Sequence, residues 1–278
     1  MEKLKKLFGE TNMTWLKVII LALASAIFTA VMMMIPSLKE TSFQDIGVNL
    51  DAWFLFAIFI IMNCKKWWEA SLKTFVFFLI SQPLIYLIQI LCKTAEWDLI
   101  YYYKNWIVIT LLTLPGAAIA YLIKKNNILS VLILSVATGY LGYAFVPYIN
   151  SVISDFPHHL LSAIFCISTI IILILTLIEK KGLKIVAFLL VAIVIAGTFI
   201  YTNRASSYET TLGDGNWSYT VEDDSIISAD VDGNKLIIKS KHDGHTYIYA
   251  NNDLGEKREY YVTITGGNVW VDRIEVEE

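Results

Sequence analysis

Residues 185–201 form a run of seventeen without a single charge, close to the shortest stretch that crosses a bilayer as a helix, which takes about 20 residues and at least roughly 17. The chain before this run is predominantly apolar, and everything after it is polar and patterned for strands. A chain that changes solvent in this way cannot close around one core. Its first part must be buried in lipid, and its second must fold in water.

Six earlier apolar segments precede that run, at residues 15–36, 46–64, 72–92, 106–123, 128–148 and 159–178. The second is the weakest. Its uncharged part, residues 52–64, has only 13 positions, so spanning requires Asn49 and Asp51 to sit at headgroup level, and a re-entrant or tilted segment is the alternative. The first segment follows Lys3, Lys5 and Lys6 in the manner of a leader, but it reaches Ile35 with no small-residue cleavage site, so a retained first span is expected. With 56% hydrophobic and 17% charged residues, against about 25% charged in soluble domains, the composition is that of a membrane protein.

Lysine placement supplies an orientation that hydropathy does not, because short cytoplasmic loops are enriched in Lys and Arg. Seven spans put residues 1–17, 64–73, 124–127 and 179–184 on one side with 12 lysines, and residues 37–45, 93–105 and 149–158 on the other with Lys39, Lys93 and Lys104 alone. The N-terminus is therefore expected inside and the C-terminal tail outside. Trp15, Trp67 and Trp68 fall near the inner surface, and Trp53, Trp97 and Trp106 near the outer one, where amphipathic rings settle. The tail is acidic, with 7 Lys/Arg against 15 Asp/Glu over residues 203–278. That balance argues against nucleic acid as a partner, which needs a basic footprint.

Beyond Ser207 the period changes. Trp217, Tyr219 and Val221 alternate with polar residues, and so do Tyr260, Val262 and Ile264, the mark of half-buried strands. Further strands are expected at residues 225–231, 235–239, 246–250 and 269–276. Asp232-Gly233-Asn234, Asp243-Gly244 and Asn252-Asp253-Leu254-Gly255 read as the turns between them.

The order of these pieces resembles the bacterial Ig-like domains of group 2. The matching features are the strand from Trp217 to Val221, the run Asp224-Ser225-Ile226-Ile227-Ser228-Ala229, then Asp232-Gly233-Asn234, then Gly244-His245-Thr246-Tyr247-Ile248-Tyr249, and a closing Tyr261-Val262-Thr263-Ile264. A strand after Gly266-Gly267 goes beyond that pattern. Such domains are usually exported adhesive or spacer modules, so the resemblance implies a bacterial cell envelope and an outward-facing tail. The expected fold class is thus an α-helical membrane bundle of seven transmembrane helices, N-in and C-out, over residues 1–202, followed by a small all-β Ig-like sandwich over residues 203–278.

Chemistry is sparse. No Asp, Glu, Lys, Arg or His lies near the middle of a span, where each costs roughly 2.5–3.5 kcal/mol on insertion scales and so marks function. That argues against intramembrane proteases and proton-driven transporters. His158 and His159 with Asp155, and His242 with His245, read as interface and turn residues rather than metal ligands. Asp230, Asp232 and Asn234 have the spacing of a calcium loop, but the glycine is misplaced and no Glu closes it. No metal, cofactor or disulfide is expected from Cys64, Cys92 and Cys166.

Neutral polar groups are more informative. Pro83 and Pro115 each free a carbonyl four residues earlier, and beside them stand Gln82, Tyr86 and Gln89 on one segment and Thr110 and Thr113 on the next. In lipid such groups need partners, and broken helices line the midplane sites of transporters. These five residues are a candidate ligand site for an uncharged or lipid-like molecule, with mutual satisfaction as the plain alternative. Ala22, Ala26 and Ala30, and Ser135 with Gly139, recur every four residues and permit close helix packing. The alanine pattern resembles the face by which substrate-binding subunits of energy-coupling-factor vitamin transporters dock on their partner.

The expected function is that of a non-enzymatic multi-pass protein of the bacterial cell membrane, whose partners are the bilayer and an envelope or membrane protein engaged by the external domain. One alternative is a transporter or its solute-binding subunit. Another is an outer-surface enzyme acting on lipid or cell-wall precursors through Asp51, Glu96, Asp98, Asp155 and His158.

Overall fold

The computed structural model describes residues 2–39, 41–154, 156–202, 206–265 and 267–274, and the chain divides into two compact units, residues 1–196 and 197–278. The first is helical: α1 (Glu2–Leu7), α2 (Trp15–Met34), α3 (Ser42–Val48), α4 (Leu50–Met62), α5 (Trp67–Leu91), α6 (Tyr103–Ala120), α7 (Ile128–Ser154), α8 (Leu160–Leu177) and α9 (Lys181–Thr202), whose last turns pass into the second unit. Among the described residues six helices are long and apolar enough to cross a membrane, and the bent pair α3–α4 makes a seventh if it counts as one span. Tight 3-10 turns at Trp97–Tyr102 and Tyr121–Lys125 lengthen the α6 span at both ends.

Local rules explain the helix starts. The Thr14 side chain accepts from the Lys17 amide at 3.3 Å and caps α2. At α7 the Asn127 side chain accepts from the Ser130 amide while the Ser130 hydroxyl accepts from the Asn127 amide, both at 3.1 Å, a reciprocal cap.

The weak second segment is broken at Asn49, and α3 and α4 meet at 47°. Thirteen residues at 1.5 Å each give α4 about 20 Å, short of the roughly 30 Å hydrocarbon core. From Leu50 to Cys64 no side chain is exposed. This is the central helix, apolar all round because neighbours surround it, which is why it lacks a polar face.

The lysine-bearing connections gather at one end of the helical unit. There the Thr11 amide donates to the Asn63 side chain at 2.9 Å and the Lys124 amine to the Cys64 carbonyl. Lys73, buried despite its charge, donates to Glu69 and to the Met13 carbonyl, and the Glu179 amide donates to Asn126 at 3.0 Å. At the opposite end the Ser42 amide reaches the His158 carbonyl at 2.8 Å.

The second unit is all β, with antiparallel sheets ordered β1-β4-β3 and β2-β5-β6-β7. The strands are β1 (Ser207–Thr211), β2 (Trp217–Val221), β3 (Ile227–Asp232), β4 (Lys235–Ser240), β5 (Gly244–Asn252), β6 (Lys257–Thr265) and β7 (Asn268–Ile274). Residues 275 and 276, expected to continue the last strand, lie outside the described residues. Alternation along β2 to β7 turns every second side chain inward: Leu236, Ile238, Ile248, Tyr260, Val262 and Ile264 meet Leu212, Trp217 and Ile227 in one core, the arrangement of two stacked sheets. The calcium-like spacing resolves into a hairpin, with Asp232 paired to Lys235 across Gly233 at φ +61°.

Candidate functional site

The five polar residues of α5 and α6 sit in different surroundings. Gln82 and Gln89 are buried, and Gln89 donates to the Ile85 carbonyl one turn back at 3.1 Å. Tyr86 is half-buried beside Trp106. Thr113 donates to the Thr110 carbonyl at 2.6 Å. An apolar cavity of about 370 Å³ lies between α4, α5, α6 and α7, and of the five only Thr113 lines it, together with Thr74, Trp53 and Phe78. The hydroxyls of Thr74, Ser81 and Thr110 and the Gln82 amide nitrogen are buried without a hydrogen-bond partner, an uncommon accumulation on two helices.

The small residues pack inward. Ala22, Ala26 and Ala30 are fully buried in one cluster with Phe77, Phe78 and Ile85 of α5, so that face is occupied within the helical unit. Gly139 faces Val194 of α9, and a Cβ at Gly142 would stand 3.2 Å from Ile195. Ser135 turns its hydroxyl to the Leu132 carbonyl at 2.7 Å.

A denser polar cluster forms at the α3–α4 break, where the ends of α7 and α8 meet it. Asp51, in the first turn of α4, is fully buried. Its Oδ2 accepts from the Tyr148 hydroxyl at 2.9 Å, and that hydroxyl accepts from the Asn49 side chain at 2.7 Å. Asp45 Oδ2 accepts from Ser162 at 2.7 Å and stands 2.8 Å from His159 Nδ1. The Tyr148 and His159 rings stack with centroids 6.3 Å apart at 11°. Asp51 Oδ1 has no nitrogen or oxygen donor, and the Cys166 thiol is the hydrogen-bonding neighbour of this carboxyl. A buried carboxylate needs donors around it, so this position is suited to accepting from a further donor group.

No family model, curated protein or solved structure matches the chain.

Of the residues weighed for surface chemistry, Asp51 belongs to this cluster and His158 contributes its carbonyl, which accepts from Ser42. Glu96 and Asp98 are exposed between α5 and α6, and Asp155 lies outside the described residues. Among the described residues no three His, Cys, Asp or Glu side chains group as a metal site. Sequence reading did not single out Asp45, Tyr148, Ser42 or Ser162. The only trace was a set of polar residues at the ends of three segments, and nothing in their spacing says that those ends meet.

Proposed function

We propose that this is a multi-pass protein of the bacterial cell membrane in which the helical unit anchors an Ig-like sandwich on the outer side, where the sandwich engages an envelope or membrane-protein partner. Its role is binding rather than catalysis. The observation that carries this reading is the gathering of the lysine-bearing connections at one end of the helical unit, since lysine-rich short loops stay in the cytoplasm. Under this reading α9, which starts in the last of those connections, crosses the bilayer and delivers the strands that follow it to the exterior. The two-sheet topology and the Ig-like order of the motifs support an exported binding module. Reporter fusions test it: a fusion after Asn126 reports cytoplasm and one after Asn203 reports exterior. Both reporting the same side would overturn the arrangement.

A second reading, transport coupled to protonation, is favoured by the fully buried carboxyl of Asp51 at the break between α3 and α4, the setting in which membrane transporters bind ions. Under it, Asp51→Asn abolishes proton uptake by vesicles holding the purified protein, and uptake equal to the parent's excludes it.

A further inference from the structure

Strand alternation gives the sheet β2-β5-β6-β7 two unlike faces. The inner one carries the core, while the outer one holds Tyr247 and Tyr249 of β5, Glu259 and Tyr261 of β6, and Trp270 and Asp272 of β7. Trp270 is 66% exposed and Tyr249 45%. The three tyrosine rings form a continuous array: Tyr247 and Tyr249 stack with centroids 6.2 Å apart at 15°, and Tyr247 lies 5.0 Å from Tyr261, its cross-strand partner, while Trp270 stands opposite Thr263, the next same-face pair along from Tyr261 and Asp272. Carboxylates are interleaved with them. Glu259 is directly opposite Tyr249 and Asp272 opposite Tyr261, and Glu222 acts electrostatically on the Tyr249 ring from the end of β2.

None of these rings contributes to the core; the Tyr247–Tyr261 pair supports the sheet, but core burial does not account for Tyr249 and Trp270, which stand exposed. Flat aromatic faces stack on flat apolar faces and attract cations through the ring quadrupole. Carboxylates beside the rings accept hydrogen bonds and favour positive charge. The surrounding field has the same sign, because residues 203–278 carry 15 Asp/Glu against 7 Lys/Arg, and it repels phosphate- or uronate-rich polymers. A peptide that adds to a sheet pairs with an edge strand, whereas this array lies across the face between the edges. Pyranose rings combine an apolar C–H face with equatorial hydrogen-bond donors, and an amino sugar adds a cation.

We propose that the outer face of this sheet binds a glycan strand carrying free amino groups, its sugar rings stacked on Tyr247, Tyr249, Tyr261 and Trp270 and its ammonium groups held by Glu259 and Asp272. The inference rests on the reading of the β unit as a binding module and names its ligand class. The test uses the full chain in nanodiscs of zwitterionic lipid and a fluorescent glucosamine hexamer. Acetylated hexamer, oligogalacturonate and oligolysine serve as competitors.

The glucosamine hexamer binds, the acetylated hexamer competes at least tenfold more weakly, and oligogalacturonate does not compete. Trp270→Ala and Tyr249→Ala each weaken binding about tenfold, while Trp270→Phe, which keeps a ring, restores most of it. Glu259→Gln combined with Asp272→Asn removes the preference for the free amine. All these side chains lie outside the core, so each variant keeps the parent's cooperative unfolding transition, shifted only by the small contribution of a lost cross-strand pair. No binding of the hexamer, ring variants that bind like the parent, or oligolysine competing as well as the hexamer would each overturn the proposal, the last pointing to a basic peptide instead. Binding by purified protein does not depend on membrane orientation. A fusion result placing the β unit inside therefore removes the proposed function alone, and a failed binding assay removes this inference alone.

Discussion

Gly244 opens β5 at φ +151°, and a Cβ there would stand 3.0 Å from Ile226 Cδ1. Gly244→Ala therefore meets both a strained backbone and a fixed aliphatic neighbour, and costs about 1–3 kcal/mol, read as a lower urea midpoint for the β unit. Asp253 acts from the surface instead. Its exposed carboxylate accepts from the Asn216 amide and side chain, both at 2.9 Å, and these bonds hold its pKa below the usual carboxylate value. A group titrating lower in the folded state than the unfolded one stabilises fully above the unfolded value of about 3.9, and that contribution fades as pH falls through the folded value. Asp253→Asn should accordingly lower stability at neutral pH and leave it less sensitive to acid below about pH 4, measured by unfolding across that range.

At the scale of elements, the informative piece is the broken pair α3–α4. α3 is tied to its neighbours by polar bonds: Thr29 of α2 donates to the Gly47 carbonyl at 2.7 Å, and Ser162 of α8 donates to Asp45 at 2.7 Å. α4 is tied to α7 through Tyr148 and Asp51. Tyr148→Phe leaves both oxygens of the buried Asp51 without a donor from α7, at a cost of about 1–3 kcal/mol. The buried thiols of Cys64 and Cys166 provide the readout, reacting with a thiol-specific dye at lower temperature in the variant than in the parent. Equal reactivity profiles would show that the bond does not hold the break in place.

On the scale of the whole molecule, the two units present unlike surfaces. The helical unit leaves Ile193, Ile185 and other large apolar side chains exposed, which water does not tolerate in such number, whereas the β unit has its own core. Residues 204–278 expressed alone should be a soluble, folded β domain. With Trp270 replaced, the remaining Trp217, 9% exposed and packed under the Arg258 guanidinium at 5.0 Å, should emit at short wavelength and resist quenching. Red-shifted, fully quenchable emission would mean that the unit does not fold by itself.

The sequence alone determined the change from apolar helices to polar strands, the helical and strand periods, and the turns of the β unit, because these depend on local composition and on alternation along one strand or helix. It located the weak second segment but not its break, since α4 is apolar on every side and carries no period from which to read its position. The candidate ligand residues on α5 and α6 were chosen by spacing along their own helices. Which of them reach the cavity was decided by the rotation of each helix against its neighbours, and this brought only Thr113 to it. The Asp45–His159 and Asp51–Tyr148 contacts join residues separated by about a hundred positions. They exist only because packing brings the break in the central helix against the ends of α7 and α8, a juxtaposition that no local pattern encodes.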